Sequence, residues 1–271
     1  MSEVWRLYLS PPATGAWNMA VDEAILENIS RGDSPPTLRL FGWVPPCLSL
    51  GRAQPFSDVN IPALKANGWD VVRRITGGRA ILHTDELTYS IISPGSNTHV
   101  SGTLLESYQH LAQGLLTALK MLDVKAEMNE ERAEQSTQAN PVCFETPSAY
   151  EITVNGKKLI GSAQARQKDG VLQHGSLPLT GDLARITQAL IFPDEGSRQH
   201  AAENLLARAT TVESALGRFT DWETASKSFV QGFESALGIS FQRDELSQSE
   251  TKRAASLVKE KYAHPDWTER I

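Results

Sequence analysis

The sequence predicts an α/β fold of the α+β kind: a mixed, largely antiparallel sheet flanked by helices, with a small helical part at the C-terminus. Three observations carry this. Short runs with alternating apolar and polar residues recur between Trp5 and Leu177, the pattern of half-buried strands. Asn155-Gly156 separates two such runs and is a strong short hairpin signal. After Pro178 the apolar spacing turns helical, which calls for a helical layer against the sheet.

Taken in order, Trp5 to Leu9 alternates and reads as a strand stopped by Pro11-Pro12. Thr14 and Asn18 are both possible helix starters. Met19, Ile25, Leu26 and Ile29, with Ala20, Val21 and Ala24, form a helical stripe. Asp22 and Glu23 are read as solvated acids near the first turn, where the helix dipole favours them. Thr37 to Trp43 is a second strand, broken by Pro45-Pro46. Cys47 to Gln54 reads as a strand running into a turn, with Cys47 a buried, inert thiol in an apolar run. Val71 to Thr76, Arg79 to His83 and Glu86 to Ile92 are read as successive strands of an antiparallel arrangement, with Gly77-Gly78 between the first two.

From Leu104 to Leu122 leucines recur at helical spacing, an amphipathic helix whose stripe is core. Residues from Glu127 to Asn140 are polar, lack periodicity and read as a loop. Tyr150 to Val154, Leu159 to Arg166 and Val171 to Leu177 then form two hairpins, turning at Asn155-Gly156 and at Lys168-Asp169-Gly170. Helical patterns follow at Leu183 onward, Ala201 to Ala209, Val212 to Leu216, Trp222 to Leu237 and Glu250 to Tyr262, the last charged and partly buried at most. The expected division is a catalytic domain over residues 1–240, its motifs within about 32–180, and a helical extension over 241–271.

Composition narrows the classes of function. The 271 residues carry a formal net charge of −6, which argues against a nucleic-acid groove driven by bulk charge. Two cysteines far apart, with no CxxC pair, argue against a disulfide framework or a thiolate zinc site. The six histidines show no metal-ligand spacing. The first residues lack a signal-peptide pattern, and no apolar run is long enough to span a bilayer. The expectation is a cytoplasmic protein that needs no metal or other cofactor and has no nucleic-acid or membrane partner.

Four groups of residues could carry chemistry. Cys143 sits between Pro141 and Pro147, just before a strand-like run, and Lys158 follows on the return strand of the hairpin. A nearby ammonium favours the thiolate, which is the nucleophilic form; a lone cysteine is nonetheless more often structural. Arg73-Arg74 with Gly77-Gly78 and His83 suits an anion-facing loop as well as an ordinary hairpin turn. Lys157 reads as a solvated turn residue. His174 reads as a satisfied structural group.

These residues bring a resemblance into view. Asn18-Met19-Ala20 with Asp22-Glu23-Ala24, Leu50-Gly51-Arg52 with Gln54, Arg73-Arg74-x-Thr76-Gly77-Gly78 with Ala80 and His83, and Gly156-Lys157-Lys158-x-x-Gly161-Ser162-Ala163 resemble the lipoate and biotin protein ligase and transferase superfamily, in that family's order and over about two-thirds of the chain. The run Cys143-Phe144-Glu145-Thr146-Pro147-Ser148 resembles the cysteine motif of the LipM-type octanoyltransferases, and Lys158 matches their assisting lysine. Ligases of the superfamily commonly carry three glycines in the loop; here Arg79 takes the third place, where a side chain crowds the approach of a nucleotide.

The resemblance implies a biotin/lipoate protein ligase-like fold and an octanoyltransferase of lipoate assembly. Octanoyl-acyl carrier protein would be the donor and a lipoyl-domain protein, such as glycine cleavage H protein, the acceptor. Cys143 would be the acyl-thioester nucleophile. Lys158 would lower its pKa and orient the acyl group. Arg73, Gly77, Gly78, His83, Gly161, Ser162 and Ala163 would bind substrate. An ATP-dependent lipoate ligase, an amidotransferase between lipoyl-domain proteins, and a silent carrier-domain binder are the alternatives.

Overall fold

The structure, a computed structural model, describes residues 2–129 and 151–271; Cys143, residues 130–140 of the polar segment before it and the start of the following strand lie outside the described residues, while Glu127–Asn129, expected to be loop, form a short strand. The first half comprises β1 (Glu3–Leu9), α1 (Gly15–Ile29), β2 (Thr37–Phe41), β3 (Cys47–Leu50), α2 (Ile61–Asn67), β4 (Asp70–Arg73), β5 (Ile81–His83), β6 (Glu86–Pro94), α3 (Leu104–Met121) and β7 (Glu127–Asn129). The second comprises β8 (Glu151–Val154), β9 (Lys157–Gln167), β10 (Gly170–Pro178), α4 (Glu195–Arg208), α5 (Val212–Leu216), α6 (Trp222–Leu237), β11 (Ile239–Arg243), α7 (Gln248–Leu257) and α8 (Pro265–Thr268). Short 3-10 turns lie at Phe56–Asp58 and Leu183–Gln188, and a π turn at Val258–Tyr262.

Eight strands form one sheet in the order β11-β1-β2-β6-β10-β9-β8-β7. The pairs β11/β1 and β1/β2 are parallel; the other five are antiparallel. The mixed, largely antiparallel sheet is thus as the sequence predicts. Both hairpins form, and the first turns through Asn155 and Gly156 at φ of 51° and 73°, the pair of positive angles that a two-residue turn of right-twisted strands requires.

Strand parity sorts the side chains. Leu87, Tyr89 and Ile91 of β6 point to one face, where Leu111, Leu115, Phe229 and Phe233 of α3 and α6 cover them. Ile92 of β6 points to the other, where α1 and α7 supply Met19, Ile25, Leu26, Ala254 and Leu257. A third cluster, with Leu48, Leu50, Leu64, Ile186 and Leu205, packs beneath a second sheet.

That second sheet departs from expectation. Its order is β4-β3-β5, with β3 parallel to β4 and antiparallel to β5, while β6 belongs to the large sheet. Residues 74–80 are therefore not a hairpin turn; they cross the end of β3. The crossing is close: a Cβ built on Gly51 would lie 1.8 Å from the Gly78 carbonyl oxygen, so only glycine fits at position 51. The strand stops at Arg73 rather than Thr76 because the Arg74 guanidinium folds back to donate to the carbonyls of Ser49, Gly77 and Arg79.

Two further expectations are corrected. The N-cap of α1 is Thr14, whose hydroxyl accepts from the Trp17 amide. Asp22 and Glu23 therefore sit in the middle of the helix, and both are buried. The C-terminal segment is not helical alone. β11 pairs with β1 from Glu3↔Ile239 to Leu7↔Arg243, so the expected boundary at residue 240 falls inside a strand of the main sheet. The last helical stretch is anchored in the core through Ala254, Leu257 and Tyr262.

Candidate acyl-transfer site

Between the two sheets and the N-terminal end of α3 lies a cavity of about 750 Å³, within the range of small-molecule sites. Its apolar wall includes Met19, Trp43, Ile81, Leu104 and Leu105. Gly77, Gly78 and Arg79 of the crossing segment form one rim, and Gly161, Ser162, Ala163 and Gln164 of β9 form another. Gly175 on β10 also lines it. A Cβ there would lie 2.6 Å from the Gly161 carbonyl oxygen and 2.7 Å from the Tyr89 ring, so a larger residue would drive β9 and β10 apart.

Lys158 stands at the start of β9, brought opposite Thr153 of β8 by the hairpin. It is buried at 5% exposure and donates to a Glu151 carboxylate oxygen at 2.5 Å. Both residues line the cavity. A buried ammonium persists only when a carboxylate and further donors and acceptors offset its desolvation, and Glu151 fills that role. The result is a fixed cationic donor on the wall of the cavity.

Two buried histidines share the cavity. His83 stacks on Trp43, with ring centroids 4.0 Å apart and planes within 7°. Its Nδ1 lies 2.6 Å from Glu86 Oε1 and its Nε2 lies 2.8 Å from Ser49 Oγ. Burial opposes ionisation of Glu86, but His83 and the hydroxyls of Ser176 and Thr88 hold its carboxyl below the usual range. A carboxylate at Nδ1 fixes the tautomer in which Nε2 is the acceptor, so Ser49 donates to His83. His174 places Nε2 2.6 Å from Thr76 Oγ1 and Nδ1 3.4 Å from Asp22 Oδ2. Burial pushes its pKa down, against the pull of Asp22, so the ring is neutral. Asp22 in turn accepts from Arg39 and Ser90, each at 2.7 Å; burial opposes its charge, yet Arg39 and the hydrogen bonds hold its carboxyl below the usual range.

The structure thus brings together most of the residues expected to bind substrate: Gly77, Gly78, His83, Gly161, Ser162 and Ala163, with Lys158. Arg73 is a correction. It is fully buried and absent from the cavity wall. Its guanidinium donates to the carbonyls of Thr268, Gly51 and Gln54. It is Arg74, the first residue past the end of β4, that lines the cavity. His174, expected to be purely structural, also lines it, as do Trp43, Ser49, Thr88, Glu151 and Ser176. The signal for His174 and Ser176 is their spacing of two on a strand whose other residues are largely apolar. Cys47 is buried against Gly15 and Val72, and burial pushes its thiol well up, so the reading of an inert cysteine holds. Among the described residues no group of three or more His, Cys, Asp and Glu could hold a metal ion, and no helix is long and apolar enough to cross a membrane.

This geometry can now be set beside known proteins. The profile of the lipoyl protein ligase A/B catalytic domain matches residues 14–234. The chain is 37% identical to the octanoyltransferase LipM of Anoxybacillus flavithermus, over 98% of each chain, and 38% identical to that of Kyrpidia tusciae, over 99% of each. Among solved structures it is similar to the bi-partite lipoate protein ligase of Thermoplasma acidophilum, with a TM-score of 0.83 at 23% identity over 98% of this chain and 96% of that one. A lipoate-protein ligase A bound with ATP superposes with a TM-score of 0.79 at 23% identity, over 99% of each chain. At that identity the two structures speak for the fold alone, whereas the curated relatives match along the whole sequence. The chain belongs to the lipoyl protein ligase A/B catalytic-domain family and, within it, to the LipM-type octanoyltransferases.

Proposed function

We propose that the protein moves octanoyl from octanoyl-acyl carrier protein, through a thioester on Cys143, to a lysine of a lipoyl-domain protein such as glycine cleavage H protein. The observation that carries this reading is Lys158: a buried ammonium, pinned by Glu151, on the wall of a largely apolar cavity, in a chain whose curated relatives are octanoyltransferases.

In the first step the Cys143 thiolate attacks the thioester carbonyl of the donor, and the carrier's thiolate leaves. Thioester-to-thioester exchange is close to isoenergetic, so no nucleotide is consumed. Lys158 offers the positive charge that favours the thiolate and a donor for the oxyanion of the tetrahedral intermediate. The cavity takes the acyl chain; each methylene buried contributes about 0.8 kcal/mol, which gives an apolar chain a clear preference for this site over water. Arg79 on the rim of the glycine segment stands where a nucleotide would approach the backbone, which supports transfer rather than ATP-driven ligation.

The test is intact-mass spectrometry after incubation with octanoyl-acyl carrier protein. The expected result is one octanoyl adduct on the parent protein, removed by hydroxylamine and absent from Cys143→Ser, with octanoylation of the acceptor lost in that variant. Octanoylation that persists in Cys143→Ser and depends on ATP would overturn the reading in favour of a ligase.

A further inference from the structure

The donor of this transfer holds its acyl group on a pantetheine arm, joined to the carrier protein through a phosphodiester. A cavity of about 750 Å³ is of the size that holds a drug-sized molecule. That is more than eight carbons fill, so it has room for the arm as well as the acyl chain. The phosphodiester at the root of the arm then rests at the rim or just outside it. It is a fixed negative charge and calls for cations at that place.

We propose that Arg52, Arg79 and Arg270 bind this phosphodiester, an inference that rests on the transfer reading above. The fold gathers the three around one contact. Arg79 is half-buried on the rim, while Arg52 and Arg270 are exposed and lie beyond the cavity wall. Gly51 abuts the Gly78 carbonyl, so the Cα atoms of Arg52 and Arg79, next in the chain, lie within about 10 Å of each other. Arg270 donates to the Arg52 carbonyl at 2.7 Å, with its guanidinium 4.0 Å from the centre of the Trp267 ring. The ring and the bond hold that charge beside Arg52.

The company these arginines keep sets them apart. The chain has a net charge of −6, and its other arginines find acids readily: Arg6 pairs with Glu250, Arg39 with Asp22, Arg185 with Asp85 and Arg253 with Glu27. Among the described residues no carboxylate pairs with Arg52, Arg79 or Arg270. Asp58, six positions from Arg52, accepts from Gln54. The crowding of like charge is already felt inside, where burial and then the charge of Arg270 hold the Arg73 guanidinium below its ordinary value. Cations brought together without acids project a field outward. The planar guanidinium, with its fork of N–H donors, matches the oxygens of a phosphate. A phosphodiester seated there offsets the mutual repulsion of the three and fixes how far the arm enters.

The experiment isolates the phosphate. Formation of the octanoyl adduct is followed by intact mass with octanoyl-pantetheine, octanoyl-4′-phosphopantetheine and octanoyl-acyl carrier protein as donors. The proteins are the parent, Arg52→Gln, Arg52→Lys, Arg79→Gln and Arg270→Gln. The quantity read is the ratio of kcat/KM for the phosphorylated small donor to that for the unphosphorylated one. Damage unrelated to the phosphate lowers both and leaves the ratio alone. The parent is expected to prefer the phosphorylated donor by about tenfold or more, the scale of charge-assisted hydrogen bonds from guanidinium to phosphate. That preference should shrink as sodium chloride is raised from about 0.05 M to about 0.5 M. Each glutamine variant is expected to lose about threefold or more of the ratio, and Arg52→Lys, which keeps the charge without the fork, to fall between it and the parent. Equal loading of the parent from the two small donors would overturn the proposal, as would a ratio that survives all three glutamine substitutions. A parent that loads rapidly from the carrier protein yet ignores the phosphate would place recognition on the carrier's own side chains instead. Arg52 is exposed, so its variants decide if another does not fold. No adduct from any donor would bring down the thioester reading and this site with it, whereas adducts formed at a ratio of one bring down the site alone.

Discussion

At the scale of single residues, the site depends on charges that the sequence presents as ordinary. Asp22 and Arg39 form an ion pair at 2.7 Å with both side chains within 2% of full burial. Arg39 also donates to Asn18 and Ser10 and lies 3.9 Å over the Phe41 ring. Replacing Asp22 by Asn keeps the shape but leaves the guanidinium without its carboxylate, and breaking a buried pair in this way costs about 3–5 kcal/mol. The pH dependence follows from the lowered pKa of Asp22. The unfolded chain takes up the proton at the ordinary value of 3.8, while the folded protein resists it. The pair's contribution is therefore complete above that value and is lost as pH falls through the folded pKa. Urea midpoints for the parent and Asp22→Asn are expected to differ by a constant gap from pH 7 to about pH 4 and to converge below it. A gap that does not change with pH would show that the charge of Asp22 is not the source of its effect.

At the scale of elements, periodicity was most informative where one face of an element is buried. The leucine spacing from 104 to 122 and the Asn155-Gly156 hairpin were both legible because each rests on local geometry alone. The β4-β3-β5 order was not, since nothing local distinguishes a two-glycine hairpin from a segment that crosses a third strand; that choice is made by the close approach of Gly51 and Gly78. The same holds for Arg73 and Arg74, where one must face the cavity and the other must not, and only the tertiary pairing decides. Helix packing gives a further case. A Cβ built on Gly232 of α6 would lie 2.5 Å from the Ala118 amide nitrogen and 2.7 Å from its Cα on α3. Glycine to alanine inside a helix ordinarily gains about 1 kcal/mol, but here the obstacle is backbone that cannot rotate away, and overpacking costs about 1–3 kcal/mol. Since relief requires the two helices to separate along their length, the clash should win. Gly232→Ala is expected to lower Tm by about 2–4 °C, the shift for a net loss of about 1 kcal/mol in a protein of this size, measured by thermal circular dichroism; an unchanged or higher Tm would mean that the helices part without cost.

At the scale of the whole molecule, the sheet divides the protein into two packed faces, and the cavity opens where the small sheet meets the large one. The C-terminal residues close the face that carries α1. β11 extends the sheet from β1, Glu250 receives two hydrogen bonds from buried Arg6, and Lys261 and Tyr262 both donate to Glu23. Beyond them, Arg73 donates to the Trp267 and Thr268 carbonyls, and the Trp267 ring nitrogen donates to the Arg73 carbonyl. These contacts reach the segment of Gly51 to Gln54, on which one wall of the cavity is built. The sequence hid this arrangement because a charged, helix-patterned tail looks like an appendage, and the residues that receive it lie more than 190 positions upstream. A division of the chain at residue 240 can therefore be tested directly. Ending the chain there removes most of β11 and all of α7 and α8, and uncovers the α1 face formed by Ala24, Ile25, Leu26 and Ile29. Arg6, Glu23 and Arg73 lose their C-terminal partners in the same step. The shortened chain is expected to aggregate or to lose near-ultraviolet circular dichroism and cooperative melting, because an apolar face of that extent must be buried for a single native packing to persist. A chain of residues 1–240 that stays soluble, melts cooperatively within a few degrees of the full protein and still forms the octanoyl adduct would show that the C-terminal residues are an extension that the catalytic part does not need.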